Sequence, residues 1–194
     1  MDYSAIKDFI LGKLEKDLPP DLYYHGLRHT LDVMAVTESL CLEENVNRHD
    51  TLLLKTAALF HDSGFLRNNL NHEALGCDIV REYLPDFGYS EKAIEKICGM
   101  ILATKIPQSP KNKLEEIICD ADLDYLGRDD FKEIADTLFE ELKALQYLNT
   151  QEEWDAMQIA FLEKHVFFTK SSRTNREPKK AVHLSHLKEK VQRN

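Results

Sequence analysis

The sequence predicts an all-α protein, a single-domain bundle of about eight to nine helices. Apolar residues recur at intervals of three and four along nearly the whole chain, and β-branched alternation is rare. With 194 residues, the chain is long enough to bury one continuous core. Proline and glycine cluster between the apolar stretches, where they can end helices without breaking them.

Nine helices follow from this pattern, with ends defined to within a few residues. The predicted ranges are 2–17, 28–44, 48–62, 71–84, 90–104, 112–124, 128–147, 151–166 and 174–192. The breaks between them contain Pro19-Pro20, Ser63-Gly64, Pro85 with Gly88, Pro107 with Pro110, and Gly127. Asp50, Ser90 and Asn112 suit the first positions of helices, because their side chains can accept hydrogen bonds from free backbone N–H groups.

The net charge of −9 is unevenly distributed. Residues 164–194 carry nine Lys or Arg and two Glu, so the rest of the chain has a net charge of −16. An acidic body argues against nucleic-acid binding. We expect a body over 1–169 and a basic segment over 170–194, in which 170–180 is a mobile connection into the last helix. This helix has a narrow apolar stripe, which consists of Val182, Leu184, Leu187 and Val191 and predicts that the helix packs on the body. The alternative is that the basic segment forms a phosphate-steering lip or contacts a partner.

The composition indicates a soluble globular protein, with 43% hydrophobic and 30% charged residues. No apolar run is long enough for a membrane helix, and the N-terminus lacks the layout of a secretion signal, so we expect a cytoplasmic protein. The cysteines are widely spaced without a CxxC motif, which predicts buried reduced thiols and not a zinc or redox site: Cys41, Cys77, Cys98 and Cys119.

Two histidine-containing segments are candidates for chemistry. In YHGLRHT, His25 and His29 are four residues apart and would share a helix face, where such a pair could bind metal by itself. In TLLLKTAALFHDSGF, an almost wholly apolar helix ends in His61-Asp62. A polar pair at the end of a buried helix needs partners. The alternative is structural: His61 caps helix carbonyls, and Asp62 pairs with an arginine or turns the chain.

A third segment, EEIICDADLDYLG, is acidic. Asp120, Asp122 and Asp124 lie two residues apart, so on a helix only one or two of them can point inward. Asp120 and Asp124 share a face that differs from that of Asp122. Taken alone, the cluster also fits a solvated face or a set of helix caps.

The ordered set His, His-Asp and Asp, carried by YHGLRHT, ALFHDSGF and CDADLDYLG, resembles the HD-domain superfamily of metal-dependent phosphohydrolases over about residues 20–165. The tail is similar to that of small stand-alone bacterial HD proteins. The resemblance implies an HD-type helical bundle, and it selects Asp122 from the acidic cluster. The implied metal ligands are His29, His61, Asp62 and Asp122. His25 then supports the site from outside the ligand set.

Some HD proteins hold two or three metals with the help of further histidines. The first of these corresponds to His72, but Thr104 stands where the second would be, so the resemblance favours a mononuclear site. His72 and Glu73 are the candidates for proton transfer or phosphate contact, with helix capping as the alternative for His72. Relatives that act on guanosine alarmones carry an acidic residue shortly after the HD pair, where this chain has Phe65 and Leu66.

Two imidazoles and two carboxylates suit one divalent cation, with Mn²⁺ or Mg²⁺ favoured and Fe²⁺, Co²⁺ or Zn²⁺ possible. The implied reaction is attack of metal-activated water on a phosphomonoester or phosphodiester, in particular of a nucleotide. The basic residues nearest the motifs in sequence are Lys105, Arg67 and Arg128, and they are the candidates for contacts with the phosphate. The alternative is that they are ordinary surface charges.

Two further hypotheses remain open at this point. The chain could be a non-enzymatic HD-fold sensor that binds a nucleotide or a partner protein, as the missing acidic residue and Thr104 would allow. Oxidative chemistry at a di-iron site needs two more histidine ligands than the motifs offer, and Thr104 counts against it. The sequence indicates neither the substrate nor the oligomeric state.

Overall fold

The structure, a computed structural model, describes residues 1–193. In this part of the chain all regular secondary structure is helical, and there are no strands. It contains ten α-helices: α1 Tyr3–Asp17, α2 Leu27–Glu43, α3 Arg48–Phe60, α4 His72–Tyr83, α5 Glu91–Ala103, α6 Lys113–Asp122, α7 Phe131–Ala144, α8 Gln151–Lys164, α9 Lys170–Asn175 and α10 Glu177–Arg193. Short 3-10 helices follow α3, α4 and α6, at Ser63–Leu66, Leu84–Phe87 and Asp124–Gly127.

All nine predicted helices are present, and the all-α prediction is confirmed. Ser90 and Asn112 accept hydrogen bonds from the first turns of α5 and α6, and Asp50 lies in the first turn of α3, all as expected. The cap of α3 is Asn47. The prediction of a mobile connection over 170–180 is wrong, because α9 forms there. The Thr169 hydroxyl caps α9 by accepting from the Ser172 N–H.

The first core cluster surrounds α3, which packs against α1, α2, α5 and α6. Every residue of α3 from Ala57 to Phe60 is fully buried, in agreement with its apolar sequence. All four cysteines are buried, and none of them forms a disulfide bond with another. Because the C-terminal end of α3 is enclosed by other helices, the residues that follow Phe60 must also lie in the interior.

A second cluster is formed by the segment after α6 together with α7, α8 and the C-terminal helix. Trp154, Phe131 and Phe167 are its large buried members. It contains Leu184 and Leu187 from α10 at its edge, whereas Val182 and Val191 of the predicted stripe are about half exposed. No helix among residues 1–193 is long and apolar enough to span a bilayer.

Ion pairs join α10 to the acidic body. Lys190 Nζ lies 2.6 Å from Asp155 and Lys188 Nζ lies 2.5 Å from Glu163, both on α8. Asp155 is almost fully buried, so its pair is less screened by solvent than an exposed one. The basic segment therefore contacts the acidic body through ion pairs and contributes to its second core.

Two acidic residues of the third motif anchor this C-terminal segment. Buried Asp120 accepts hydrogen bonds from the N–H groups of Phe168 and Thr169 at 2.8 and 2.7 Å. Buried Asp124 accepts from Arg176 Nε at 2.7 Å. These residues therefore share a structural face, and they leave Asp122 to point elsewhere.

Gly127 permits the close approach of Arg176 on which the Asp124 pair depends. A Cβ at Gly127 would collide with the backbone carbonyl of Arg176, whereas a Cβ at exposed Gly12 in α1 would meet nothing within 4 Å. We expect Gly127→Ala to lower the free energy of unfolding by about 1–3 kcal/mol. Gly12→Ala should raise it by about 0.5–1 kcal/mol through helix propensity. Urea denaturation measures both, and equal effects of the two changes would contradict the packing described.

His165 gives stability a dependence on pH. Burial, together with Lys180 Nζ at 3.3 Å from Nδ1, lowers the pKa of His165 to about 4. Its pKa in the unfolded chain is about 6.5. Unfolding therefore takes up a proton between these values, and stability is lost as the pH falls from about 6.5 to 4, by at most about 1.4 kcal/mol per pH unit from this group.

His165→Asn keeps an acceptor for Lys180 but removes the titration. Its free energy of unfolding, measured by urea denaturation from pH 4 to pH 7, should fall less steeply with acid than that of the wild-type chain. The exposed His186→Asn variant is the control and should follow the wild type. Parallel curves for His165→Asn and the wild type would exclude a partly buried His165 that stays neutral in the folded protein.

Candidate metal centre and its cavity

Three helices bring four polar side chains to one point. His29 lies in the first turn of α2, His61 and Asp62 directly follow the last residue of α3, and Asp122 is the last residue of α6. Since α2, α3 and α6 all pack against one another, these three positions converge. The residues distant in sequence are thus brought together by the fold, and we call them the HHDD quartet: His29, His61, Asp62 and Asp122.

One donor atom from each member faces the others. The Nε2 atoms of His29 and His61 are 3.2 Å apart. Asp122 Oδ1 is 3.1 Å from His29 Nε2 and 3.6 Å from His61 Nε2. Asp62 Oδ2 is 3.1 Å from His61 Nε2 and 3.5 Å from His29 Nε2. His29, His61 and Asp122 form a group whose ligand atoms all lie within 4.8 Å of one another.

Hydrogen bonding around the quartet leaves its inner atoms available. His61 Nδ1–H donates to the carbonyl of Ala58 at 2.8 Å, so the neutral ring has its lone pair on Nε2, facing the quartet. This bond also realises the predicted capping role of His61. Asp62 Oδ2 is buried and has no hydrogen-bond partner within residues 1–193. No arginine pairs with Asp62 there; its contacts are with His29, His61 and His72.

A divalent cation fits this arrangement. Donors about 2.0–2.4 Å from one cation and at right angles to each other lie about 3 Å apart. The two imidazole nitrogens lie 3.1–3.6 Å from each other and from the two carboxylate oxygens. The orphaned carboxylate oxygen and the two facing imidazole nitrogens would otherwise be costly to bury. The donor set of two nitrogens and two oxygens is that of a borderline or hard divalent ion.

Electrostatics at the quartet indicate the same need for positive charge. Burial by itself would lower the pKa of His61, but the Asp62 and Asp122 carboxylates raise it to about 9. Burial would raise the pKa of Asp62, whereas His61, His25 and His29 hold it well below its usual range. The carboxylates thus draw a proton onto His61 when no other cation is present.

His25 lies beside the quartet and not within it. Its Nδ1 contacts the carboxylate of Glu141, which is buried in α7. The same carboxylate accepts from the backbone N–H groups of Tyr24 and His25 at 2.8 and 3.0 Å. Burial lowers the pKa of His25, but Glu141 outweighs it and raises it. Glu141 therefore fixes the chain just before α2, and the His25 ring has a buried carboxylate as its partner.

His72 and Glu73 open α4 on the other side of Asp62. His72 Nε2 is 3.5 Å from both Asp62 Oδ1 and Glu73 Oε1, and its Nδ1–H donates to the Asn69 carbonyl at 3.3 Å. Gly64 permits this position, since a Cβ there would overlap the backbone of His72. Asn71 occupies the N-cap position of α4, so His72 does not act as the cap.

A cavity of about 390 Å³ extends from this site into the second core cluster. Its polar end is formed by Asp62, Asp122, His72, Glu73 and His25. Thr104 also lines it, but its hydroxyl donates to the Ile101 carbonyl in its own helix. The remaining wall is mainly apolar and comes largely from the residues after α6 and from α7 and α8: Leu123, Leu126, Phe131, Leu138, Leu142, Trp154, Met157, Phe161 and Leu162.

The predicted phosphate contacts lie outside this cavity. Exposed Arg67 pairs with Glu82. Arg128 pairs with Asp32 at 2.9 Å and Asp130 at 2.8 Å and is not among the residues that line the cavity. Lys105 donates to Asn71 and is exposed, but it stands between the lining residues Thr104 and Ile106. Lys105 is thus the one of the three that adjoins the cavity.

Sequence reasoning missed Glu141 and the apolar walls. Nothing in FEELK distinguishes a buried glutamate from the solvated charges around it. The apolar residues of α7 and α8 have the spacing of ordinary core residues, so the pattern could not show that they border a cavity.

Comparison with known proteins agrees with this geometry. The family model of the HD domain matches residues 26–125. An uncharacterised protein of Clostridium beijerinckii is 33% identical over 100 residues, which are 50% of this chain and 62% of that relative. A predicted HD superfamily hydrolase from an uncultured Thermotogales bacterium has a similar crystal structure, with a TM-score of 0.64 and 17% identity over 96% of this chain and 91% of that one.

The chain belongs to the HD-domain family. The matched region contains all four members of the HHDD quartet and ends three residues after Asp122. It excludes α7 to α10, so the apolar wall beyond Tyr125 lies outside the matched region. The similarity to the solved structure covers nearly the whole of both chains. The resemblance to the HD-domain family that the sequence indicated is confirmed.

The quartet should bind a divalent cation. We expect isothermal titration calorimetry of the metal-free chain with Mn²⁺ to show one high-affinity site, and His61→Ala or Asp62→Ala to weaken it at least 100-fold by removing a donor. His49→Ala, which changes an exposed histidine at the start of α3, should bind as the wild type does. Undiminished binding by both quartet variants would exclude this site.

Proposed function

We propose that the protein is a metal-dependent phosphohydrolase in which the HHDD quartet holds one divalent cation, with Mn²⁺ or Mg²⁺ favoured. The observation that carries the proposal is the convergence of four donor atoms at the polar end of a cavity. Membership of the HD-domain family and a fold similar to that of a predicted HD superfamily hydrolase support it.

A divalent cation at the quartet would supply an activated water and polarise a phosphoryl oxygen. The chain's own residues supply the remaining functions. The Ala58 carbonyl orients His61, and Glu141 fixes the backbone that leads to His29. The apolar wall excludes bulk water from the site and thereby strengthens its electrostatic interactions.

His72 is proposed to move the leaving-group proton at Nε2. This atom faces the cavity beside Asp62 and Glu73, while the Nδ1–H bond to Asn69 holds the ring. Glu73 would orient the ring. Lys105 is retained as a contact for the phosphate at the mouth, whereas the carboxylate pairs of Arg67 and Arg128 argue against such a role for them.

A second candidate function is a non-enzymatic ligand-binding protein. It is favoured by one observation: none of the cavity-lining residues is a lysine or an arginine, within the described part of the chain. Metal-dependent turnover separates the two candidates.

Phosphatase assays with p-nitrophenyl phosphate and a panel of divalent ions test the proposal. We expect turnover that depends on added metal, a loss of at least 10³-fold in kcat/KM in His61→Ala, and a loss of at least tenfold in kcat in His72→Asn with metal affinity retained. His49→Ala is the control. Metal binding without turnover of any phosphoester would instead support the binding protein.

A further inference from the structure

The chamber beyond the HHDD quartet is too apolar for a highly charged substrate. Asp62, Asp122 and Glu73 give its polar end an excess of carboxylates, and no lysine or arginine of the described chain lines it. Asp62 and Asp122 balance the charge of a single divalent cation at the quartet, so the cation could take one phosphate group as a ligand but would leave no surplus positive charge for more. Additional phosphates of a nucleoside polyphosphate would meet carboxylates without compensation.

The walls also offer few partners for a sugar and a base. Of the polar groups away from the quartet, Thr104 already donates to the Ile101 carbonyl. The Tyr24 and Tyr125 rings pack edge to face, with centroids 5.6 Å apart, and both residues are buried. Their hydroxyls and the Gln158 amide are the remaining polar groups in the wall. A nucleoside here would bury several hydroxyl and ring nitrogen groups without hydrogen bonds, at about 1–3 kcal/mol each.

The same walls suit a hydrocarbon group. Leu126, Phe131, Leu142, Trp154 and Phe161 surround the chamber, and its volume of about 390 Å³ is typical of small-molecule sites. Met157 and Ile106 line it while remaining about half exposed, so they border its opening. A ligand can therefore enter from solvent and reach the quartet.

We propose that the substrate is a phosphomonoester of an apolar alkyl or aryl alcohol, with the hydrocarbon in this chamber and the phosphate at the quartet. This inference rests on the proposed function. In the reaction, the oxygen of water forms a bond to phosphorus, and the bond from phosphorus to the alcohol oxygen breaks. A proton from water ends on that oxygen, so that the products are the alcohol and inorganic phosphate.

Trp154 permits a binding assay that does not depend on turnover, since it is the chain's one tryptophan and lines the chamber. Non-hydrolysable alkylphosphonates from methyl to decyl are titrated in the presence of Mg²⁺ while tryptophan fluorescence is recorded. We expect Kd to fall about two- to fourfold per added methylene until the chamber is full. Adenosine monophosphate should bind at least tenfold more weakly than hexylphosphonate.

Met157→Gln tests the wall itself, because the position is partly exposed and the change leaves the core packed. It should reduce the gain in affinity per methylene, whereas Leu42→Gln, at a position 77% exposed and outside the cavity, should not. Affinity independent of chain length, or adenosine monophosphate bound as tightly as hexylphosphonate, would overturn the inference.

Turnover of the matching alkyl phosphates, measured as released phosphate, distinguishes this inference from the proposed function. We expect kcat/KM to rise with chain length in parallel with phosphonate affinity. Hydrolysis of nucleotides but not of alkyl phosphates would overturn the inference and leave the phosphohydrolase intact. Chain-length-dependent binding with no hydrolysis by any divalent ion would support the chamber's ligand class and overturn the phosphohydrolase.

Discussion

Burial of the C-terminal end of α3 is the constraint on which the functional site depends. Because the last residues of this helix are wholly enclosed, His61 and Asp62 must be accommodated inside the protein. Their inner atoms face those of His29 and Asp122 and not water. An unpartnered carboxylate oxygen beside two imidazole nitrogens is unfavourable in a dry site, and a shared cation is the simplest group that satisfies all of them at once.

The HHDD quartet lies between the anchored C-terminal segment on one side and helices α7 and α8 on the other. On one side, Asp120 and Asp124 anchor the C-terminal segment, and the face of α6 that carries Asp122 stays turned toward α2 and α3. On the other side, α7 and α8 enclose a hydrocarbon-lined space directly next to the quartet. A polar cluster and an apolar wall thus meet within one cavity.

The helices could be predicted from the sequence because their apolar spacing and their proline and glycine breaks are local features. The separate face of Asp120 and Asp124 also followed from helical periodicity, but the choice of Asp122 required the family resemblance. Arg128 shows the limit of proximity in sequence: it follows the third motif closely, yet the turn after α6 directs it to Asp32. The chamber could not be predicted, because a leucine or phenylalanine in a cavity wall has the same spacing as one in the core.

We propose that two imidazoles and two carboxylates of this chain surround one cation. The decisive measurement is a crystal structure of the Mn²⁺-loaded protein with anomalous diffraction at the manganese edge. We expect a single strong peak about 2.0–2.4 Å from the inner atoms of His29, His61, Asp62 and Asp122. A peak bound elsewhere, or one that contacts neither imidazole, would exclude this cation site.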